Sequence, residues 1–97
     1  MRAARVDANH AEVKAGIIEA LPDCAICDLK GVGEGVPDLL VGWRGYNFLV
    51  EIKVPGKRLN ERQTKWHGNW QGSAFTATSA AHAIAHMLRH VEGNKGR

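Results

Sequence analysis

The chain contains 97 residues, of which 44% are hydrophobic, and its formal net charge at pH 7 is +3. A chain of this size can bury one core without disulfide bonds, so we expect a single domain over residues 1–97 with flexible ends at 1–6 and 93–97. No apolar run is long enough to cross a membrane and the N-terminus lacks the apolar segment of a signal peptide, so we expect a cytoplasmic protein without membrane partners. The net positive charge permits nucleic-acid binding but does not require it.

Two cysteines, Cys24 and Cys27, have the spacing C-x-x-C. A zinc site needs a second pair of ligands at a fixed spacing, and nothing nearby supplies it. A redox motif opens a helix after a strand, whereas this pair follows Pro22 and leads into a strand. We therefore expect two reduced thiols near the core.

The first predicted element is a helix that begins at Asp7, which can cap it, and ends at Pro22. Its apolar positions have helical spacing: Val13, Ile17, Ile18 and Leu21. Glu12 lies at the edge of this stripe, where a side chain can face either way, so it is either a solvated surface acid or a site residue. Asn9 is a weaker candidate for the site than Glu12, because an Asn so close to Asp7 more often serves the helix start.

A first strand is predicted over residues 24–29, and residues 30–35 form a glycine-rich loop. The loop lacks the Lys-Ser/Thr pair of a phosphate-binding P-loop. We expect its glycines to allow close approach of the backbone at the rim of a site.

Residues 36–42 and 47–53 are apolar runs on either side of a glycine-containing link, which predicts an antiparallel hairpin. A loop of two residues (Arg44-Gly45) or of four (43–46) gives the same register, which places Asp38 opposite Glu51. We favour the four-residue loop, because Arg44 is a poor residue for a turn position with positive φ. Since side chains alternate along a strand, Asp38, Glu51 and Lys53 then share one face.

Two carboxylates placed this close repel each other, and one is driven towards protonation unless a cation lies between them. A divalent cation removes the conflict, and two hard oxygen ligands with room for water and phosphate are typical of a Mg²⁺ site. Lys53 would be the positive group beside the metal, where it could stabilise charge on a pentavalent phosphate or orient the attacking water.

A second helix is predicted after Pro55-Gly56, starting at Asn60, whose spacing to Gln63 is that of a capping box. Gln63 therefore either serves the cap or points back to the metal site. Trp66 and Trp70 share a helix face with Gln63, at i+3 and i+7. We interpret the two tryptophans as core packing on the sheet, with base stacking as the alternative.

Residues 73–78 fit a short strand, and Ser79 can cap a final helix. The predicted apolar stripe of that helix is Ala81, Ile84, Ala85, Leu88 and Val91. Three histidines repeat every four residues along it: His82, His86 and His90. A catalytic zinc helix normally adds a Glu base, which is absent, so we favour a solvated or subunit-facing histidine stripe.

The order of the elements (helix, three strands, helix, strand, helix) predicts an α/β (α+β) domain. Its mixed central sheet is expected to carry helices on both faces.

Pro37-Asp38, a spacer and Glu51-Ile52-Lys53 resemble the signature of the PD-(D/E)XK nucleases. Gly33-Glu34-Gly35-Val36 before Pro37, and a segment 59–70 that carries Gln63 and the two tryptophans, make the chain similar to small stand-alone VRR-NUC nucleases of bacteria and phages. These are relatives in fold of archaeal Holliday junction resolvases. The resemblance covers about residues 7–91 and implies the αβββαβ core of the restriction-endonuclease-like fold, in a bacterial or phage-infected cell.

The resemblance implies a metal-dependent DNA endonuclease that leaves 5′-phosphate and 3′-hydroxyl ends. It assigns catalysis to Asp38, Glu51, Lys53 and Gln63. It assigns Mg²⁺ or Mn²⁺ binding to Asp38, Glu51, the backbone carbonyl of Ile52 and, as a third carboxylate, Glu12.

Several cations stand before or just after the site elements and are candidates for phosphate contacts: Arg2, Arg5, Lys57, Arg58, Arg62 and Lys65. Ordinary solvated charge is the alternative for each of them. A domain this small covers little duplex, and branched DNA needs two cuts, so we expect a homodimer that acts on Holliday junctions or flaps. Two other interpretations stay open: a non-cleaving DNA-binding subunit that needs a partner, and a structural domain whose acidic pair is coincidental.

Overall fold

The computed structural model describes residues 2–94, with side chains from residue 8 onward. Within these residues the elements are α1 (Arg2–Ala20), β1 (Ala25–Asp28), β2 (Leu39–Trp43), β3 (Tyr46–Ile52), α2 (Glu61–Asn69), β4 (Ala74–Ala77) and α3 (Ala80–Asn94). The predicted α/β class and the order of the αβββαβ core are confirmed. Of the helices described, none is long and apolar enough to cross a membrane.

The first helix begins earlier than the sequence pattern predicts. It starts at Arg2, so Asp7 lies inside it, and residues 2–6, expected to be flexible, are helical. The Arg and Ala residues of this segment are strong helix formers, and their propensity outweighs the capping signal of Asp7. At the other end, Gly93 still belongs to α3. Residues 1 and 95–97 of the predicted flexible ends lie outside the described residues, as do the side chains of Arg2 and Arg5.

The strands form one mixed sheet in the order β1-β2-β3-β4. The β1-β2 and β2-β3 pairs are antiparallel, whereas β4 runs parallel to β3. The β2-β3 hairpin pairs Leu40 with Leu49, which is the register that sets Asp38 opposite Glu51, as predicted.

The hairpin loop has two residues, so the preference for four was wrong. Trp43 pairs with Tyr46, and the loop residues Arg44 and Gly45 have φ of 51° and 85°. A turn with two positive φ angles has the twist that the flanking strands require. The Arg44 guanidinium lies 4.5 Å from the centroid of the Trp43 ring, and this cation–π contact helps to offset the strain of the Arg44 backbone.

One face of the sheet carries the hydrophobic core. The helices α1 and α3 pack on this face and against each other, with Gly16 directly facing Ala80. The core side chains are Val13, Ile17, Leu21, Leu39, Val41, Trp43, Phe48, Val50, Ile52, Phe75, Ala77, Ala83, Met87 and Val91. Ile18, expected in the stripe of α1, is exposed instead. Both cysteines are free thiols, as predicted; Cys24 packs against the core, while Cys27 is exposed.

Two of the three histidines of α3, His86 and His90, contact the chain's own sheet, so the solvated or subunit-facing interpretation was wrong for them, whereas His82 is exposed. The His86 ring stacks on Phe75 with 3.7 Å between centroids, and His90 makes edge contacts of 5.3 Å with Phe48 and Tyr46. Burial, more than the neighbouring cations, lowers the pKa of His86, which favours a neutral ring in this packing. The buried line of α3 runs through Ala83, Met87 and Val91, so the predicted stripe was rotated, and Leu88 is exposed.

The second face of the sheet presents Leu49 and Glu51 and is covered thinly. The helix α2 approaches it through Gln63, but none of the residues of α2 is buried. Trp66 and Trp70 therefore lie outside the core, and their interpretation as core packing was wrong.

Candidate active site and metal centre

Two carboxyl groups meet at one end of the hairpin. Asp38 directly precedes β2 and Glu51 is the penultimate residue of β3, so the register sets them opposite each other. Asp38 Oδ2 accepts the backbone N–H of Ile52 at 2.8 Å, which ties Asp38 to the end of β3 beside Glu51. Both carboxyl groups line a cleft of about 470 Å³ together with Lys53. The structure thus brings together the three residues that the predicted register places on one face.

Glu51 is almost completely buried, with 2% of its surface exposed. Burial foremost, and then the neighbouring Asp38 carboxyl group, raise the pKa of Glu51 to about 8, while the charge of Lys53 acts in the opposite direction. Its Oε2 accepts a hydrogen bond from Gln63 at 3.3 Å, but its Oε1 is buried without a partner among the described residues. Leaving a buried oxygen unsatisfied is costly, so this atom indicates a ligand that the chain itself does not supply.

The donor set fits a hard divalent cation. Mg²⁺ prefers carboxylate and carbonyl oxygens and retains several water ligands. Asp38, Glu51 and the carbonyl of Ile52 offer such oxygens in one cleft, and a cation there would relieve the repulsion between the two carboxylates. Within the described part of the chain no group of three or more His, Cys, Asp or Glu side chains is placed to hold a metal. The remaining ligands would therefore be water and phosphate.

The first helix contributes Asn9 to the cleft rather than Glu12. Asn9 Nδ2 donates to the carbonyl oxygen of Lys53 at 3.2 Å and so ties α1 to the residue that follows β3. Its assignment to the helix start was wrong, because α1 begins at Arg2. Glu12 is exposed and does not line the cleft, which favours its alternative as a surface acid.

The side-chain amide of Gln63 both completes the helix cap and contacts Glu51. Its Oε1 accepts the backbone N–H of Asn60 at 2.9 Å, which together with the bond from Gln63 N to Asn60 Oδ1 completes the capping box. With the oxygen occupied in this way, the amide nitrogen faces Glu51. The cap therefore fixes the orientation in which Gln63 reaches the acidic pair.

The backbone of the glycine-rich loop approaches the start of α2 closely, as predicted for its glycines. Gly35 has a φ of 81°, and a Cβ at this position would lie 2.5 Å from the carbonyl oxygen of Arg62 and 3.2 Å from the nitrogen of Gln63. The loop backbone is therefore in direct contact with the helix turn that carries Gln63.

We expect Gly35→Ala to destabilise the fold more than Gly33→Ala. Both glycines have positive φ, at 81° and 76°, so each alanine incurs about 1–2 kcal/mol of backbone strain. Only the Gly35 variant adds a collision with backbone atoms, about 1–3 kcal/mol more, since no atom lies within 4 Å of a Cβ at Gly33. Thermal unfolding of the two variants checks this, and equal losses of Tm would contradict the close approach.

Sequence reasoning missed an ion-pair cluster on the α1 side of the cleft. His10 lines the cleft, and its Nε2 lies 3.1 Å from Asp28 Oδ2, which Lys14 also approaches at 3.2 Å. The backbone N–H of Lys30 foremost, then His10 and Lys14, lower the pKa of Asp28 to about 2. The spacing of His10 and Lys14, one helical turn, was the available signal; their shared partner on β1 follows from the tertiary fold.

His67 was also missed. It lies one turn after Gln63 on α2, and its Nε2 is buried without a partner among the described residues. Burial foremost, and then the charge of Lys53, lower the pKa of His67, which favours a neutral ring near the catalytic lysine candidate.

The predicted phosphate-binding cations fall into two groups. Lys57 and Arg58 line the cleft, and Arg62 and Lys65 line a groove on the outside of α2. Between residues 8 and 94, none of these four side chains is paired with a carboxylate. Their charges are therefore available to an external anion.

The chain matches the model of the VRR-NUC domain over residues 3–83. This span includes the acidic pair, Lys53, Gln63 and the whole sheet. No curated protein and no solved structure matches the chain. The family match confirms the resemblance that the motifs indicated. The chain therefore belongs to the VRR-NUC family of PD-(D/E)XK-like nuclease domains.

Proposed function

We propose that the protein is a metal-dependent endonuclease that hydrolyses DNA phosphodiester bonds with Mg²⁺ or Mn²⁺. The pair of half-buried Asp38 and buried Glu51 carries this proposal, because Glu51 Oε1 is unpartnered and Lys53 lines the same cleft. Two ionised carboxylates this close, one of them buried, cost stability unless a cation lies between them. A purely structural role offers no compensation for that cost.

In this proposal Asp38, Glu51 and the Ile52 carbonyl hold the cation. When bound, it would supply Lewis-acid stabilisation of the phosphate charge and lower the pKa of water. Gln63 fixes Glu51 through the hydrogen bond to Oε2. Lys53 stabilises the negative charge of the pentavalent phosphate and orients the attacking water. The water oxygen bonds to phosphorus and releases a proton to solvent, the bond from phosphorus to O3′ breaks, and O3′ takes up a proton from solvent, leaving a 5′-phosphate and a 3′-hydroxyl.

We expect Lys53→Ala to lose cleavage while it retains Mn²⁺ binding. The ammonium group acts on the phosphate and is not a metal ligand, so its removal should lower the cleavage rate about 10²–10³-fold. Single-turnover cleavage and isothermal titration with Mn²⁺ measure the two properties separately. A Lys53→Ala protein that neither binds Mn²⁺ nor cleaves would place the lysine in the metal site instead.

We further propose a homodimer that acts on branched DNA, either Holliday junctions or flaps. The chain is small, and a branched DNA must be cut in two strands. The second subunit of a symmetric dimer would supply the second active site. Lys57 and Arg58 are exposed beside the acidic pair and would hold the phosphates on either side of the cut.

The decisive experiment is cleavage of linear, flap, splayed-arm and four-way DNA with Mn²⁺, using Glu51→Ala as the blank and EDTA as the metal-free control. Faster cleavage of the branched forms by the wild type supports the proposal. Retention of DNA without nicking under all conditions would instead favour a binding subunit that needs a partner. Sedimentation of the wild type on its own measures the oligomeric state.

A further inference from the structure

Trp66 and Trp70 form a stacked aromatic pair on the surface of α2. Their ring centroids are 4.7 Å apart, with 17° between the planes, and 46% of the Trp70 surface is exposed. Neither ring belongs to the core, and α2 contributes no buried residue, so the pair does not hold this helix on the sheet. Two stacked indoles in this setting are a preformed π-surface, and such a surface suits an aromatic partner.

Trp66 connects the aromatic pair to the acidic cleft. An outer groove is lined by Glu34, Arg62, Lys65, Trp66 and Asn69. It shares Glu34 and Arg62 with a second groove, which runs past the glycine-rich loop to Asp38 and Gln63. Counted from Gln63 along the helix, the two tryptophans lie about 4.5 and 10.5 Å away. This corresponds to about one to three nucleotides of a stacked strand at roughly 3.4 Å each.

The charges beside the pair favour a nucleic acid over a second protein surface. Arg62 and Lys65 are exposed and, within residues 8–94, unpaired with any carboxylate. Lysine is depleted at protein–protein interfaces, whereas cations beside stacked aromatic rings are typical of single-strand binding. Arg62 also lines both grooves and so marks a path for a phosphate backbone between them.

We propose that Trp66 and Trp70 are a stacking platform for unpaired bases of single-stranded DNA, with Arg62 and Lys65 on the adjoining phosphates. The inference rests on the proposed nuclease function in placing this strand at the acidic cleft. It deepens that function, because it makes the preferred substrate a DNA with unpaired bases about one to three nucleotides from the scissile phosphate.

The test measures binding in EDTA, where no cleavage occurs, by fluorescence anisotropy with two labelled probes. One is a thymidine 12-mer and the other is an abasic 12-mer with the same backbone. The wild type should prefer the probe with bases. Trp70→Ala should lower the affinity for that probe about 5- to 100-fold and leave the affinity for the abasic probe unchanged. Trp70→Tyr should restore most of the preference, whereas Trp70→Leu should not. Leu88→Ala, which removes an exposed apolar side chain on α3, serves as the matched control.

A wild type that binds both probes equally, or a Trp70→Leu protein that binds as the wild type does, would overturn the platform. Sedimentation tests whether a second copy of the chain binds the tryptophan pair instead. If Trp70→Ala converts a dimer to monomers and leaves the base preference unchanged, the pair is a subunit contact. The two proposals fail separately. A Trp70-dependent base preference in a protein that cleaves nothing with Mn²⁺ refutes only the nuclease, and active cleavage without base preference refutes only the platform.

Discussion

Glu51→Gln should abolish DNA cleavage and at the same time stabilise the protein. The amide has the shape of the carboxyl group and can still face Asp38 and Gln63, but it carries no charge for a cation. Loss of one of two protein carboxylates at the site should lower the cleavage rate by about 10³-fold or more. Because the pKa of Glu51 is raised to about 8 by burial and by Asp38, the ionised side chain opposes folding. Its removal should add on the order of 2 kcal/mol at pH 8, or about 10 °C in Tm for a domain of this size.

Two further variants separate these effects. Glu19→Gln changes an exposed carboxylate on the same scaffold and should alter neither cleavage nor Tm. Asp38→Ala should also lose cleavage, but it leaves the Ile52 N–H without its acceptor and should destabilise by about 1–3 kcal/mol. A Glu51→Gln protein that cleaves at the wild-type rate would remove the acidic pair from the mechanism. One with a lower Tm would show that the ionised carboxylate stabilises the fold.

Substitution of Glu51 is expected to stabilise the fold and substitution of Asp38 to destabilise it, because the two side chains make different local contacts. Asp38 is tied to the backbone of β3 and so contributes to the hairpin as well as to the site. Glu51 has one oxygen bound to Gln63 and one without a partner, and its burial raises the free energy of the folded state at neutral pH. A site of this kind destabilises the metal-free fold, and the same groups give it the capacity to hold a cation.

The register of the hairpin could be predicted because the period of a strand is two. Leu40 and Leu49 had to face one way and Phe48 and Val50 the other, and either loop length kept Asp38 opposite Glu51. The loop itself was predicted wrongly, because residue propensity at Arg44 was weighed without its contact to the Trp43 ring. Local propensity yields to tertiary contacts in this way wherever a neighbouring side chain offsets strain.

The unpredicted parts of the site are those that depend on packing between distant elements. His10 meets Asp28 only because α1 lies beside the end of β1, and no spacing in the sequence encodes that distance. The tryptophans were assigned to the core because aromatic residues at helical spacing are usually buried. In the structure α2 buries none of its residues, so the same spacing produces a surface pair.

In EDTA, the stability difference between Glu51→Gln and the wild type should grow as the pH rises from about 4.5 to about 8. In the unfolded chain Glu51 ionises near the ordinary glutamate pKa of 4.5, whereas in the folded chain its pKa is raised to about 8 by burial and Asp38. The folded state therefore binds more protons across this range and loses stability as the pH increases, on the order of 2 kcal/mol over the whole range. Below the range both states are protonated and the penalty is absent; above it the penalty is complete.

Other groups titrate in the same experiment, so the difference between the two proteins is the useful quantity. The pKa of His67 and of His86 is lowered in the folded chain, chiefly by burial, so their contribution is lost as the pH falls through the ordinary range of histidine. Asp28, with its pKa lowered to about 2 by the Lys30 N–H foremost, contributes stability that is lost only in stronger acid. Both effects are common to wild type and Glu51→Gln and cancel in the subtraction.

Addition of Mn²⁺ should reverse the pH trend in the wild type but not in Glu51→Gln. A cation that binds the ionised acidic pair stabilises the folded state by about 2.7 kcal/mol at a concentration of 100 times its Kd. Its affinity should rise with pH, because it competes with the proton on Glu51. Chemical denaturation at several pH values, with Mn²⁺ and with EDTA, gives all four curves. If the two proteins gain equal stability from Mn²⁺ at every pH, the metal binds elsewhere and the acidic pair has another role.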